Sequence, residues 1–591
     1  MSHQPLNGFE PIGYPHARPA VAEPRSALTV ALEQCRMRLM VTAAMAALAM
    51  GTVSVKLVKA TLFQEAAEPR QTVAVAAGDA PVNRADILDR NGNLLATSLA
   101  TGSVYADPKL VQNPAEAARK LASVLPDIDV KDLTAKLASE KRFIWIRRNL
   151  SPKQQAAVFR LGIPGVSFER EEKRFFPAGN LTSHVIGFTG VDNNGLAGIE
   201  QGFDKRLKAE TSTPLQLSID VRLQHIMKKE LAATVEEFRA IGAAGIVYDV
   251  RTGEVLSMVS LPDFDPQDPP DSKSDALFNR TTLGVYEMGS TFKIFNSAMS
   301  LDSGKVRITD IFDAAHPIKV GRFTIGDLHN LHRPLSVAEI FQHSSNIGSV
   351  HMALTAGVPT QKAFMQKMGF TRPTALELPE NGWPLVPNPW REVNAMTIAF
   401  GHGISVSPMH TVAAAASIIN GGVFHPPTLL KRDPNGPIPG ERVISPQTSD
   451  LMRRMFRIVV TEGTAKGAAA PGYVVGGKTG TADKQKGKSY AKNSRMSSFL
   501  GAFPMQDPRY IVYVLIDEPQ ATAKTYGYAT GGWVAAPAVG RIVKQIGPLL
   551  NVPPVDENAP EILNAVYMNL NGTLQRGNAI AAVPTPAPKQ R

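Results

Sequence analysis

The chain is nearly free of cysteine: 591 residues carry one, Cys35. A disulfide framework and a Cys-rich zinc or iron–sulfur site are thereby excluded. Long apolar runs are as scarce. The only one is Leu39–Val55 (LMVTAAMAALAMGTVSV). No internal repeat stands out, and no spacing among the 12 histidines suggests a metal site, so no cofactor is expected. Charge of one sign is also in short supply. Lys plus Arg is 63 against 52 for Asp plus Glu, a net +11 over a long chain. That is too weak a bias to argue for nucleic acid, and no motif supports such a partner. What remains is an ordinary globular composition, 43% hydrophobic, long enough for a few domains.

The apolar run, extended through Leu57, Val58, Leu62 and Phe63, approaches the roughly 20 residues a bilayer span needs. Lys56 and Lys59 can snorkel to the interface. About 38 residues precede it, too many for an ordinary cleaved signal. Arg36 and Arg38 sit at its leading edge, so the positive-inside tendency leaves the N-terminus in the cytoplasm. The expected order is a cytoplasmic tail (1–38), a single-pass membrane anchor (39–63) and a Pro-containing linker (64–82). An α+β module (83–208), a larger domain (209–570) and a disordered tail (571–591) follow outside the membrane.

In the 83–208 module, Asn91-Gly92 between apolar stretches signals a hairpin. Residues 143–146 (FIWI) read as a strand, and helical spacing recurs near 116–125 and 152–161. In the larger domain, Ala243–Val250 and Glu254–Ser260 read as a hairpin, and strands return near Val474, at Phe499–Phe503 and at Tyr510–Ile516, with helices between. Strands at both ends predict one antiparallel sheet, flanked by helices, whose halves are distant in sequence.

Three motifs carry chemistry. In Ser290-Thr-Phe-Lys293 a helix would put the serine and lysine on one face. Burial of the apolar residues that follow would lower the lysine pKa and make it a base for the serine. Ser344-Ser345-Asn346 offers a hydroxyl and a carboxamide suited to proton relay and substrate hydrogen bonding; alone it also reads as a helix N-cap. Lys478-Thr479-Gly480-Thr481 ends a strand-like Tyr473-Val-Val in this reading, and its lysine and hydroxyls suit a carboxylate. A second Ser-x-x-Lys, Ser489-Tyr-Ala-Lys492, lies in a basic segment, Thr481–Arg495. That segment reads as a solvated, self-repelling loop beside Lys478, mobile and able to gate the cleft.

SxxK, SxN and KTG in this order form the signature of penicillin-binding proteins and class A β-lactamases. With RADILDRNG (84–92), RFFP (174–177), Gly195-Leu-Ala-Gly198-Ile-Glu200, DFDP (263–266), FNR (278–280), YEMGSTFK (286–293), Gly401-His402-Gly403, GGKTGTA (476–482) and Gly531-Gly-Trp-Val-Ala-Ala-Pro537, the sequence resembles class B penicillin-binding proteins of the FtsI type. Met288 stands where that family usually has Pro, and Phe176 where it usually has Tyr.

The resemblance implies a transpeptidase fold on an N-terminal pedestal or dimerisation-type domain. It implies peptidoglycan D-Ala-D-Ala transpeptidation in cell division, and acylation by β-lactams. Ser290 would be the nucleophile, Lys293 its base, and Ser344 and Lys478 the proton path. Asn346, Thr479, Gly480 and Thr481 would hold substrate, with the backbone N–H groups of Ser290 and Thr481 as oxyanion hole. The implied partners are stem peptides, β-lactams, an FtsW-type glycan polymerase and other division membrane proteins. Small residues Ala43, Ala46, Ala47 and Gly51 would let a partner helix approach. An elongation paralogue and a β-lactam sensor that acylates without turnover are the alternatives.

Overall fold

The computed structural model describes residues 27–62, 84–321, 323–486, 489–572 and 574. The expected linker and most of both expected tails lie outside these. The chain divides into two units, Met1–Ala80 and Pro81–Arg591.

In the first unit the apolar run falls within one helix, Ala27–Leu62. Two of its hydroxyls are satisfied internally: Thr42 Oγ1 donates to the carbonyls of Arg38 and Leu39, both at 3.0 Å, and Thr52 Oγ1 to that of Ala49 at 2.8 Å. Among the described residues no helix is long and apolar enough to cross a membrane, so the expected anchor is matched as a helix and not as a span. The expected span runs on to residue 63, whereas side chains are described only as far as Thr52 and Ser54.

The second unit opens with a sheet of β1 (Ile87–Leu88), β2 (Leu94–Ala106), β3 (Ile144–Leu150), β4 (Val166–Phe175) and β5 (Leu215–Gln216). The order is β3-β2-β1-β5, with β4 also on β2. The β1–β2 turn is built by Asp89, whose carboxylate accepts the N–H groups of Asn91 and Asn93 at 2.8 Å, with Gly92 at φ +86°. Helices Pro114–Val124, Val130–Leu137 and Pro152–Arg160 bury Leu121, Leu133, Leu137 and Val158 in a core of their own. Three of the sequence blocks meet in one buried knot. Arg84 pairs with Glu200, Arg174 Nε meets the same carboxylate at 2.7 Å, and Arg84 reaches Asp204 at 2.7 Å. A buried arginine is tolerated only with such partners.

The larger domain is centred on β6 (Gly242–Asp249), β7 (Val255–Leu261), β8 (Gly476–Lys486), β9 (Ser489–Phe503) and β10 (Tyr510–Asp517). The order is β8-β9-β10-β6-β7, antiparallel throughout. The expected joining of distant halves is therefore present. Every residue of β6, β7 and β10 is buried, which requires cover on both faces.

Two expectations need correction. The basic segment 481–495 is not a loop: β8 and β9 continue as a hairpin ribbon, with Gln485 opposite Tyr490 and Lys486 opposite Ser489. Its described charges are paired, not merely repelling. Lys484 Nζ lies 2.8 Å from Asp517 and 2.7 Å from Glu518, and Arg495 lies 3.0 Å from Asp483. The Lys-Thr-Gly triplet does not end a strand either. The strand begins at Gly476 and runs through it.

Candidate active site

Ser290 sits in a 3₁₀ turn, Gly289–Phe292, that runs into the helix Lys293–Asp302, rather than in the regular helix expected. Phe292 and Phe295 anchor this junction against Phe370, with ring centroids 5.0 and 4.7 Å away. The turn leans on β8 so closely that a Cβ at Gly289 would lie 2.4 Å from the carbonyl oxygen of Thr481, and the residue has φ +53°. Glycine is required on both counts. Its N–H donates to Gly401 O at 3.2 Å. Met288 fills its place without disturbing the turn: its carbonyl accepts Thr291 Oγ1 at 2.6 Å, and its sulfur receives the Tyr513 hydroxyl at 3.4 Å.

Lys293 is fully buried, and its Nζ has four neighbours: Ser290 Oγ at 2.8 Å, Ser344 O at 2.7 Å, Asn346 Oδ1 at 2.6 Å and Ser344 Oγ at 3.2 Å. Burial lowers its pKa to about 7, against a smaller opposing pull from Asp327. A neutral amine has two N–H donors and one lone pair. Ser344 O and Asn346 Oδ1 can only accept, so they take both donors. The lone pair is left for the Ser290 hydroxyl.

The Ser-Ser-Asn motif forms the break between two helices. Val337–His343 ends with Ser344 in the left-handed region, φ 59°, and Ser345 caps Asn346–Ala356 by accepting from Gly348 N at 3.0 Å. The N-cap reading thus belongs to Ser345. The kink frees Ser344, whose Oγ lies 3.2 Å from Lys293 Nζ and 2.9 Å from Lys478 Nζ.

Lys478 is fully buried in β8, with its pKa well below the usual lysine value through burial first and Lys293 second. Thr479 Oγ1 lies 2.9 Å from Thr464 Oγ1, and Thr481 Oγ1 accepts Gly531 N at 3.1 Å. Gly480 has no room for a Cβ, which would lie 2.4 Å from Ser498 Oγ. All eight expected site residues therefore lie in three segments that meet around Lys293 and Ser344.

Two contributors had no sequence signal. Thr464 comes from the turn after Pro446–Thr461. Asp327 comes from a segment beyond the short strand Phe323–Ile325. Its carboxylate accepts Ser345 Oγ at 2.6 Å, Ile347 N at 3.1 Å and Asn346 N. Neighbouring Gly326 accepts Asn346 Nδ2 at 2.9 Å. Among the described residues no group of three or more His, Cys, Asp or Glu is arranged to hold a metal ion.

A serine on a buried lysine, with a second serine linking that lysine to another at the edge of a five-stranded antiparallel sheet, defines a serine acyl-transfer site of the penicillin-binding class. Comparison with known proteins agrees. Residues 243–544 match the penicillin binding protein transpeptidase domain, and residues 79–215 the penicillin-binding protein dimerisation domain. The chain is 40% identical over 481 residues to a probable peptidoglycan D,D-transpeptidase FtsI of Caulobacter vibrioides, covering 79% of this chain and 82% of that one. It is 31% identical over 506 residues to peptidoglycan D,D-transpeptidase FtsI of Escherichia coli K12, covering 80% and 84%. Among solved structures, the apo transpeptidase domain of Burkholderia pseudomallei penicillin-binding protein 3 matches with TM-score 0.52 at 35% identity, covering 58% of this chain and 98% of that one. The chain belongs to the class B penicillin-binding proteins and, within them, to the FtsI-type peptidoglycan D,D-transpeptidases.

Proposed function

We propose that this enzyme cross-links peptidoglycan during division through Ser290. The observation that carries the reading is the 2.8 Å approach of Ser290 Oγ to a Lys293 amine whose donors are occupied by two obligate acceptors. Ser290 Oγ attacks the carbonyl carbon of the penultimate D-Ala, and its proton passes to Lys293. The N–H groups of Ser290 and Thr481 stabilise the oxyanion. The C–N bond to the terminal D-Ala breaks, and Ser344 and Lys478 deliver the proton to the leaving amine. Asn346 Nδ2 holds the peptide backbone, while Thr479 and Thr481, beside Gly480, hold the terminal carboxylate. An amine of a neighbouring stem peptide then resolves the acyl-enzyme. A β-lactam acylates the same serine.

The reading also assigns 83–208 as pedestal, 209–570 as transpeptidase domain and 39–63 as a single-pass anchor. The N-terminus is then cytoplasmic and the catalytic body extracytoplasmic. A long helix with self-satisfied threonines and small residues at 43, 46, 47 and 51 supports an anchor that meets another helix, with an FtsW-type polymerase as partner. Two experiments test this. Purified protein given a D-Ala-D-Ala-type thioester and an amine acceptor should release thiol over many turnovers; a single stoichiometric release would make it a sensor. Depletion should leave cells that grow without septating, whereas rounded cells would point to the elongation role.

A further inference from the structure

The segment carrying Asp327 belongs to neither the pedestal nor the central sheet, yet its carboxylate is bonded to the Ser344-Ser345-Asn346 motif at three points. One oxygen accepts the first two backbone N–H groups of the helix Asn346–Ala356, and the other accepts the Ser345 hydroxyl. Those N–H groups have no partner within a helix, so an outside carboxylate there fixes the helix start and is favoured by its dipole. Gly326, next in chain, accepts Asn346 Nδ2 at 2.9 Å. That bond decides which way the Asn346 amide faces. With Nδ2 held by Gly326, Oδ1 must face Lys293 Nζ, 2.6 Å away. One short segment therefore sets both the helix start and the amide orientation.

We infer that Asp327 is a positioning residue for acylation: as an anion bonded directly to the Ser345–Ile347 segment, it fixes where Ser344 and Asn346 meet Lys293. The inference rests on Lys293 being the base for Ser290. The charged or titratable groups around Lys293 are Asp327 beside the Ser-Ser-Asn helix, Lys478 on β8, and His402 on the 401–403 turn with Glu287 behind it. Asp327 is the anion among them that favours the charged lysine directly; Lys478 and His402, when protonated, oppose it.

Asp327→Asn keeps an acceptor for the helix start and removes the charge. Asp327→Ala removes both. The second-order rate of acylation by a fluorescent penicillin is measured from about pH 5 to 9 on the full chain, with melting temperature as a fold control and peptide mass spectrometry locating the adduct. Asp327→Ala should slow acylation by on the order of 10²-fold, the cost of about 1 Å of misplacement in a catalytic group. Asp327→Asn should recover most of that rate, with the acid limb of its profile moved to lower pH because the lysine ammonium loses its counter-charge. A folded Asp327→Ala at the wild-type rate, or an Asp327→Asn profile superimposed on the wild type, overturns the inference. An adduct away from Ser290 in the wild type would instead overturn the reading on which it rests.

Discussion

Lys293 is the residue on which the proposed chemistry turns, and its burial explains why a lysine can be a base near neutrality. Because its pKa is lowered to about 7, the free amine predominates above that pH and the ammonium below it. Acylation should therefore fall as pH drops through about 7, and a stopped-flow pH profile with a chromogenic cephalosporin checks this. A profile flat down to about pH 5 would contradict it. Lys293→Ala should lose about 10²–10⁴-fold in acylation, typical for a general base, with far-ultraviolet circular dichroism unchanged. The lysines, serines and Asn346 were legible in the sequence because three short motifs, each weak alone, occur in one order. Asp327 and Thr464 were not. Each is a single polar residue in a connecting segment, and only the tertiary fold brings it within 3 Å of a motif side chain.

The elements around the site depend on close backbone approach. The turn Gly289–Phe292 touches β8 where a Cβ would lie 2.4 Å from Thr481 O. Gly289→Ala should push Ser290 away from Thr481 and cut acylation by on the order of 10²-fold while the protein still melts cooperatively; a wild-type rate would remove the geometric argument. The hairpin of β8 and β9 shows where side-chain pattern fails. Its sequence alternates basic and polar residues without an apolar pattern, and backbone pairing carries no hydrophobic signature, so a ribbon reads as a loop. From Met496 to Ala502, β9 is paired on both sides, with β8 and β10; before Met496 it pairs with β8 alone. Hydrogen exchange should therefore be slow across 496–502 and faster across 483–494. Uniform protection of both stretches would show that something else braces the ribbon. The β6–β7 hairpin, by contrast, was readable, because two wholly buried apolar runs flank Asp249-Val-Arg-Thr-Gly253.

At the scale of the molecule, the pedestal is held by the knot in which Glu200 serves both Arg84 and Arg174. Glu200→Gln leaves two buried guanidiniums short of a counter-charge and should cost roughly 3–5 kcal/mol, read as a lower melting temperature. Ser290 chemistry in the remaining folded protein should persist, since the knot shares no residue with the cleft. Loss of acylation with an unchanged melting temperature would reverse that separation. Part of the architecture was legible: a sheet closed by strands distant in sequence, with helices between, follows from apolar patterning, whereas the apolar run that reads as a span is matched only as a helix. The seat of Ser290 in a 3₁₀ turn was not, because i and i+3 stay on one side in either helix type. The proposed chemistry of the whole molecule rests on Ser290 as the acylated residue. The direct test is incubation of the full chain with penicillin followed by peptide mass spectrometry. The adduct is expected on the peptide containing Ser290 and should vanish in Ser290→Ala; an adduct on Ser489, or undiminished labelling of Ser290→Ala, would contradict the account.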